Sequence, residues 1–339
     1  MRLLLLLAAC VPEPARPPDV PEGAVVAVAT ASDDYTAGAL VLVGVADRRP
    51  VDVATLHGDS VVVAEDGALF VVERFLVDAV RRYDGAVAAP VWQVSTGRGS
   101  NPHDVARCGA DLVVSRHEAT SLLRLDPATG SVRGTVALGD LADADGLPEA
   151  SDLVVHDGVL HVGLQRLDRD AGWSSSPGGR RVRIDCASGA RLAVDEVGPN
   201  PVLVPGPEGV AVVSEDGVDA GAWSLDDVDD ARPVDAALDA AGGVVVARDG
   251  ASRHVVACVD GSGQVAGVLH TPRYVSDAVL VGDEAWLAAR RGWTSPETPG
   301  AIVVVDRGTC TVTEEISTLL APFSLVLLPE ALASSPDVR

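Results

Sequence analysis

The sequence contains no lysine, one methionine, three phenylalanines and only two asparagines, Asn101 and Asn200. Its 26 basic residues are therefore all arginine, set against 49 acidic ones, and the formal net charge is −23. A chain this acidic repels phosphate backbones and anionic lipid surfaces, which argues against nucleic acid as a partner and against electrostatic docking on a membrane. Aromatic residues make up 3%, so a core must be built from Val, Leu and Ala. With 47% hydrophobic residues over 339 positions, the chain has enough of them to fold. No CxxC or CxH pair suggests zinc, and no GxSxG, HExxH, P-loop or GxGxxG stands in a matching context. Long apolar runs are missing too. The leucines at 3–7 fall far short of the roughly 20 residues that span a bilayer.

What is present begins at the N-terminus. MRLLLLLAAC joins one positive charge, an apolar run and small residues before Cys10, the order of a short secretory signal over 1–10. Leu7-Ala8-Ala9-Cys10 resembles the lipobox of bacterial lipoproteins, which implies lipidation of Cys10 and a place in the cell envelope. Residue 11 is Val rather than Asp, which by the same resemblance favours the outer membrane, and the lipid would be the only tie to it. Residues 11–23 read as a Pro-rich tether, 24–330 as one folded domain and 331–339 as a disordered tail. Four further cysteines permit two disulfides in an exported chain. Of the three pairings possible, Cys108–Cys186 with Cys258–Cys310 is preferred.

Short β-type runs recur between Gly/Asp turns, and no long segment has helical periodicity. Five segments read as strand, turn, strand and a closing arginine, at Arg74, Arg116, Arg166, Arg248 and Arg290. The interval from Arg166 to Arg248 is about twice that from Arg74 to Arg116, which leaves room for one copy that ends at Glu215 instead. A second strand pair follows each, and an incomplete first copy over 24–56 brings the count to seven units of about 42 residues. Four-stranded units at this period predict an all-β fold, a seven-bladed β-propeller. The strand missing from the first blade is PFSLVLLPE at 322–330, which would close the ring. This repeat, with its LDPATG turn, resembles the propellers of the surface-layer and quinoprotein-dehydrogenase-like (WD40/YVTN-like) superfamily. The DADGLPE…LQRLDR arrangement is similar to that of uncharacterised propeller lipoproteins of high-GC bacteria. Neither resemblance implies an activity.

The repeat also sorts the loops. GWSSSPGGRRVRID (172–185) and GWTSPETPGAIVVVD (292–306) are one loop in two copies, between the second and third strands of blades four and seven. Together with the long link at 139–151 they decorate a single face. Trp173 and Trp293 head those loops and are candidate contacts for a sugar or a partner. Asp59, Asp104, Asp152, Asp235 and Asp277 open the first strands of the hairpins that close at Arg74, Arg116, Arg166, Arg248 and Arg290, each at a similar distance along the chain. Antiparallel pairing would bring each Asp to its Arg as a structural pair. In the alternative, Arg116, Arg166 and Arg290 line a cup for a carboxylate or phosphate ligand. His103 and His117, beside Asp104 and Glu118, are either rim residues or transition-metal ligands.

Asp143, Asp145 and Glu149 suit calcium, the one ion expected if any is bound, although the EF-hand pattern is absent. Gluconolactonase-type propellers hold a metal with Glu, Asn and Asp, and Asn101, Glu149 and Asn200 with Asp152 are the residues that resemblance would implicate. The expected role is a non-catalytic binding or scaffold protein, monomeric, that holds a protein, glycan or small ligand over the decorated face. The alternative is a metal-dependent lactonase or hydrolase with its site at the channel mouth.

Overall fold

The computed structural model describes residues 20–21, 23–84, 89–173, 178–219, 231–249, 253–292 and 297–328. Seven antiparallel sheets stand in a ring, with one short 3-10 turn, Gly139–Leu141, as the helical element among the described residues. Blade one runs outward as Ala321–Leu328, Val25–Ala31, Gly38–Gly44 and Pro50–Leu56. Its innermost strand therefore comes from the C-terminal end of the described chain, paired with its second strand from Val25↔Leu328 to Ala31↔Ala321. The innermost strands of blades two to seven are Ser60–Glu65, Pro102–Cys108, Ala150–His156, Val202–Gly206, Arg232–Asp239 and Tyr274–Val281. Among the described residues blade five shows three strands, the third being Gly217–Asp219.

The burial pattern explains why the strands read as near-continuous apolar runs rather than alternating ones. Second strands such as Val25–Ala31 and Ala68–Glu73 are buried on both faces, because each blade is sandwiched between two others. Fourth strands such as Val132–Ala137 face solvent and alternate. A separate apolar cluster fills each of the seven clefts between blades. The smallest, between blades four and five, has only Val154, Leu203 and Val212 fully buried.

Covalent and ionic links reinforce three of the other clefts. Cys108–Cys186 joins blades three and four, and Cys258–Cys310 joins blades six and seven, with Cα separations of 4.9 and 5.7 Å. Arg307 reaches from blade seven to both carboxylate oxygens of Asp239 in blade six, at 2.7 and 2.9 Å. Across the closure, Arg48 of blade one binds both oxygens of Glu284 in blade seven at 2.8 Å.

Candidate functional site

The aspartates and arginines expected to pair do so in one blade only. Arg74 holds Asp59, with Nε donating to Oδ1 at 2.8 Å. Elsewhere a β-bulge intervenes. The registers slip between Pro102 and Val105, Ala150 and Leu153, Pro233 and Asp235, and Val275 and Asp277. The extra residue turns the aspartate away from the arginine and along the channel wall. The strand after Asp59 has no such slip, and the stretch from Asp59 to Arg74 is the longest of the five.

Each displaced aspartate instead accepts a backbone N–H from the next blade. Asp104 takes that of Leu153 at 2.7 Å, Asp152 that of Leu203 at 3.4 Å, Asp277 that of Leu325 at 2.8 Å, and Asp235 that of Ala278. Ser324 Oγ does the same for Val62 at 3.3 Å. These bonds form a girdle around the channel at five of its seven clefts. Blade five lacks the bulge altogether, so Leu203 corresponds to Val105 and no residue stands in the aspartate's place.

The channel itself encloses about 730 Å³, with walls mainly of Val, Leu and Ala, among which Asp104, Asp235 and Asp277 reach the lining. Burial pushes the carboxyls of Asp152 and Asp277 up to about 6. Asp104 and Asp235 are raised well above the usual carboxylate range by burial, reinforced by the charges of Asp152 and Asp277 respectively.

The arginines that end second strands fasten loops rather than line a cup. Arg116 donates to the carbonyls of Thr96 and Ser121. Arg166, 5% exposed, donates to the Gly178 carbonyl. Arg290 lies over the rings of Tyr35 and Phe323 and donates to the Tyr35 hydroxyl. Arg248 is exposed at its strand end.

The metal-ligand candidates separate into two groups. Asn101, Glu149 and Asn200 occupy equivalent left-handed positions, φ 47°, 45° and 49°, just before the inner strands of blades three, four and five. None of the three lines the channel cavity. Asn tolerates that conformation and Glu does so at a cost. Asp143, Asp145 and Glu149 do meet, with one oxygen of each within 4.8 Å of the others. Burial, then the charges of Asp145 and Asp143, push Glu149 up to about 8. The His103 and His117 rings stack at 4.6 Å and 16°, a face-to-face contact that does not aim their nitrogens at a shared ion. His117 Nε2 lies 3.1 Å from Gln165 Oε1, and burial holds His103 well below the usual imidazole range.

Above this cluster the decorated face assembles. Arg169 pairs with Glu118, approaches Asp145 at 3.5 Å and stacks on the exposed Trp173 ring at 5.2 Å. His117 and Arg169 together hold the Glu118 carboxyl down at about 2. Trp293 and Cys10 lie outside the described residues. Residues that the sequence reading passed over also belong here. Tyr35, Phe75, Leu76 and Leu319 are exposed, Leu319 to 86%, and all sit on loops between second and third strands or on a link between blades. A large apolar residue inside a predicted loop was the available signal.

Fold and site together define a seven-bladed β-propeller with a girdled channel and one loop-bearing face. No protein-family model matches the sequence, and no curated protein does. Solved structures with the same architecture include the periplasmic gluconolactonase PpgL of Pseudomonas aeruginosa, at 14% identity and TM-score 0.63 over 90% of this chain and 99% of that one. A protein of Bacteroides fragilis proposed to be a 6-phosphogluconolactonase aligns at 14% identity and TM-score 0.62, covering 91% and 98%. AztD of Citrobacter koseri aligns at 13% and 0.53, covering 90% and 97%. Likenesses at this identity establish the fold alone.

Proposed function

We propose that this chain is a non-catalytic binding protein of the cell envelope, held by a lipid on Cys10, that docks a protein partner on its loop-bearing face. The observation that carries this reading is a group of exposed apolar side chains on the loops of that face. Phe75, Leu76, Trp173 and Leu319, exposed by 57%, 76%, 55% and 86%, share that face with Tyr35. The tight turns of the opposite face carry charged residues such as Asp66, Asp157 and Asp283. Apolar groups left exposed together on one face of a rigid scaffold favour a macromolecular contact.

Charge supports the same choice of partner class, since a chain at −23 disfavours nucleic acid. A lactonase reading finds less support, because its four residues are divided. Asp152 is committed to the channel girdle and Glu149 to the link cluster. The test is the size of the particle released from native membranes by mild detergent. The wild-type chain should migrate as a complex, and the double variant F75D/L76D as the free propeller. Migration of both as the same free species, or turnover of simple lactones by the purified chain, would overturn the reading.

A further inference from the structure

We propose that Asp143, Asp145 and Glu149 bind one calcium ion between the link of blades three and four and the loop that carries Trp173. Three carboxylate oxygens already lie within 4.8 Å of one another. Each of these side chains spends one oxygen on a backbone N–H. Asp143 accepts from Asp145 at 3.2 Å, Asp145 from Leu147 at 2.9 Å, and Glu149 from Leu167 at 3.2 Å. The second oxygen of each, Oδ2, Oδ2 and Oε1, is buried without a hydrogen-bond partner.

Glu149 decides the matter, because it is 0% exposed, its Oε1 has no hydrogen-bond partner, and one of its oxygens belongs to the converging group. A carboxyl so placed either keeps a proton or, once ionised, needs a compensating cation. Arg169 does not supply one fully. It stands 3.5 Å from Asp145 and is shared with Glu118, so one positive charge faces four carboxylates. An all-oxygen donor set with irregular spacing suits a hard, geometrically tolerant ion, and water can complete the shell. The ion would tie 143–149 to the Leu167 N–H and so fix the base of the loop that presents Trp173. The site does not depend on what that face binds, so failure of either proposal leaves the other testable.

The experiment uses the full chain, stripped with a chelator and titrated calorimetrically with calcium chloride or magnesium chloride. One calcium per chain is expected, with a dissociation constant of about 10⁻⁴–10⁻³ M, weaker binding of magnesium, and a thermal midpoint that rises with calcium concentration. E149Q and D143N should each weaken calcium by roughly tenfold or more while their calcium-free circular dichroism matches the wild type. E149Q puts a neutral side chain of the same shape at the buried position and so should fold without the ion, and D143N is an independent second variant. No binding at millimolar calcium, or an unchanged titration in both folded variants, which would place the heat on the diffusely acidic surface, overturns the proposal.

Discussion

Neutralising the channel girdle should stabilise the protein at neutral pH and do nothing in acid. Asp152 and Asp277 sit near 6 in the folded chain, against 3.8 when unperturbed. Between those values the native state holds protons that the unfolded state has released. Stability is therefore greatest at the acid end of the window and falls as pH rises through about 6. At 1.36 kcal/mol per pK unit, a rise of about two units corresponds to about 3 kcal/mol for each group. Both residues remain partly exposed, so about half of that, 1–2 kcal/mol each, is the expected effect.

The double variant D152N/D277N keeps an oxygen to accept the Leu203 and Leu325 N–H groups but carries no charge. It should melt roughly 3–6 °C above the wild type near pH 7.5, and the gap should close near pH 4. Glu118 acts in the opposite direction. It is held at about 2, and its contribution begins to fade only below about 4.5. The wild type should thus be most stable near pH 4, as differential scanning calorimetry would record. A variant less stable than wild type at neutral pH, or a gap equal at both pH values, refutes the reasoning.

Other consequences are open to direct measurement. Replacing Cys258 and Cys310 by Ala opens a loop of 52 residues, and replacing Cys108 and Cys186 one of 78. Chain entropy sets the loss at about 4 kcal/mol in each case, readable by denaturant titration. R290A should cost about 2 kcal/mol through its contacts with Tyr35 and Phe323, whereas R248A, at an exposed strand end, should cost less than about 0.5. Equal effects of the two would restore the reading in which every arginine has the same role. C10A should move the chain from the membrane fraction to the soluble fraction, and continued membrane association would remove the lipid anchor from the account.

The architecture was legible in the sequence because its signals repeat. Arginines at a recurring interval, Asp-Gly turns and the strand pattern of 322–330 led to the ring and its closure. The Asp–Arg pairs were misread because a bulge changes which side chain faces which neighbour without changing the residue types. Only the stretch before Arg74, slightly longer than its counterparts, marked the unbulged hairpin. Asp143, Asp145 and Glu149 could be grouped from adjacency in the chain. The exposed patch at Phe75, Leu76 and Leu319 could not, since it depends on which face each loop leaves.

The central claim is that one face of the ring carries the function, and site-specific photocrosslinking in intact cells tests it most directly. A photoreactive residue at position 76 or 173 should capture the same discrete protein, and one at position 157 on the opposite face should capture none. Equal capture from both faces, or none from 76 and 173, would contradict it.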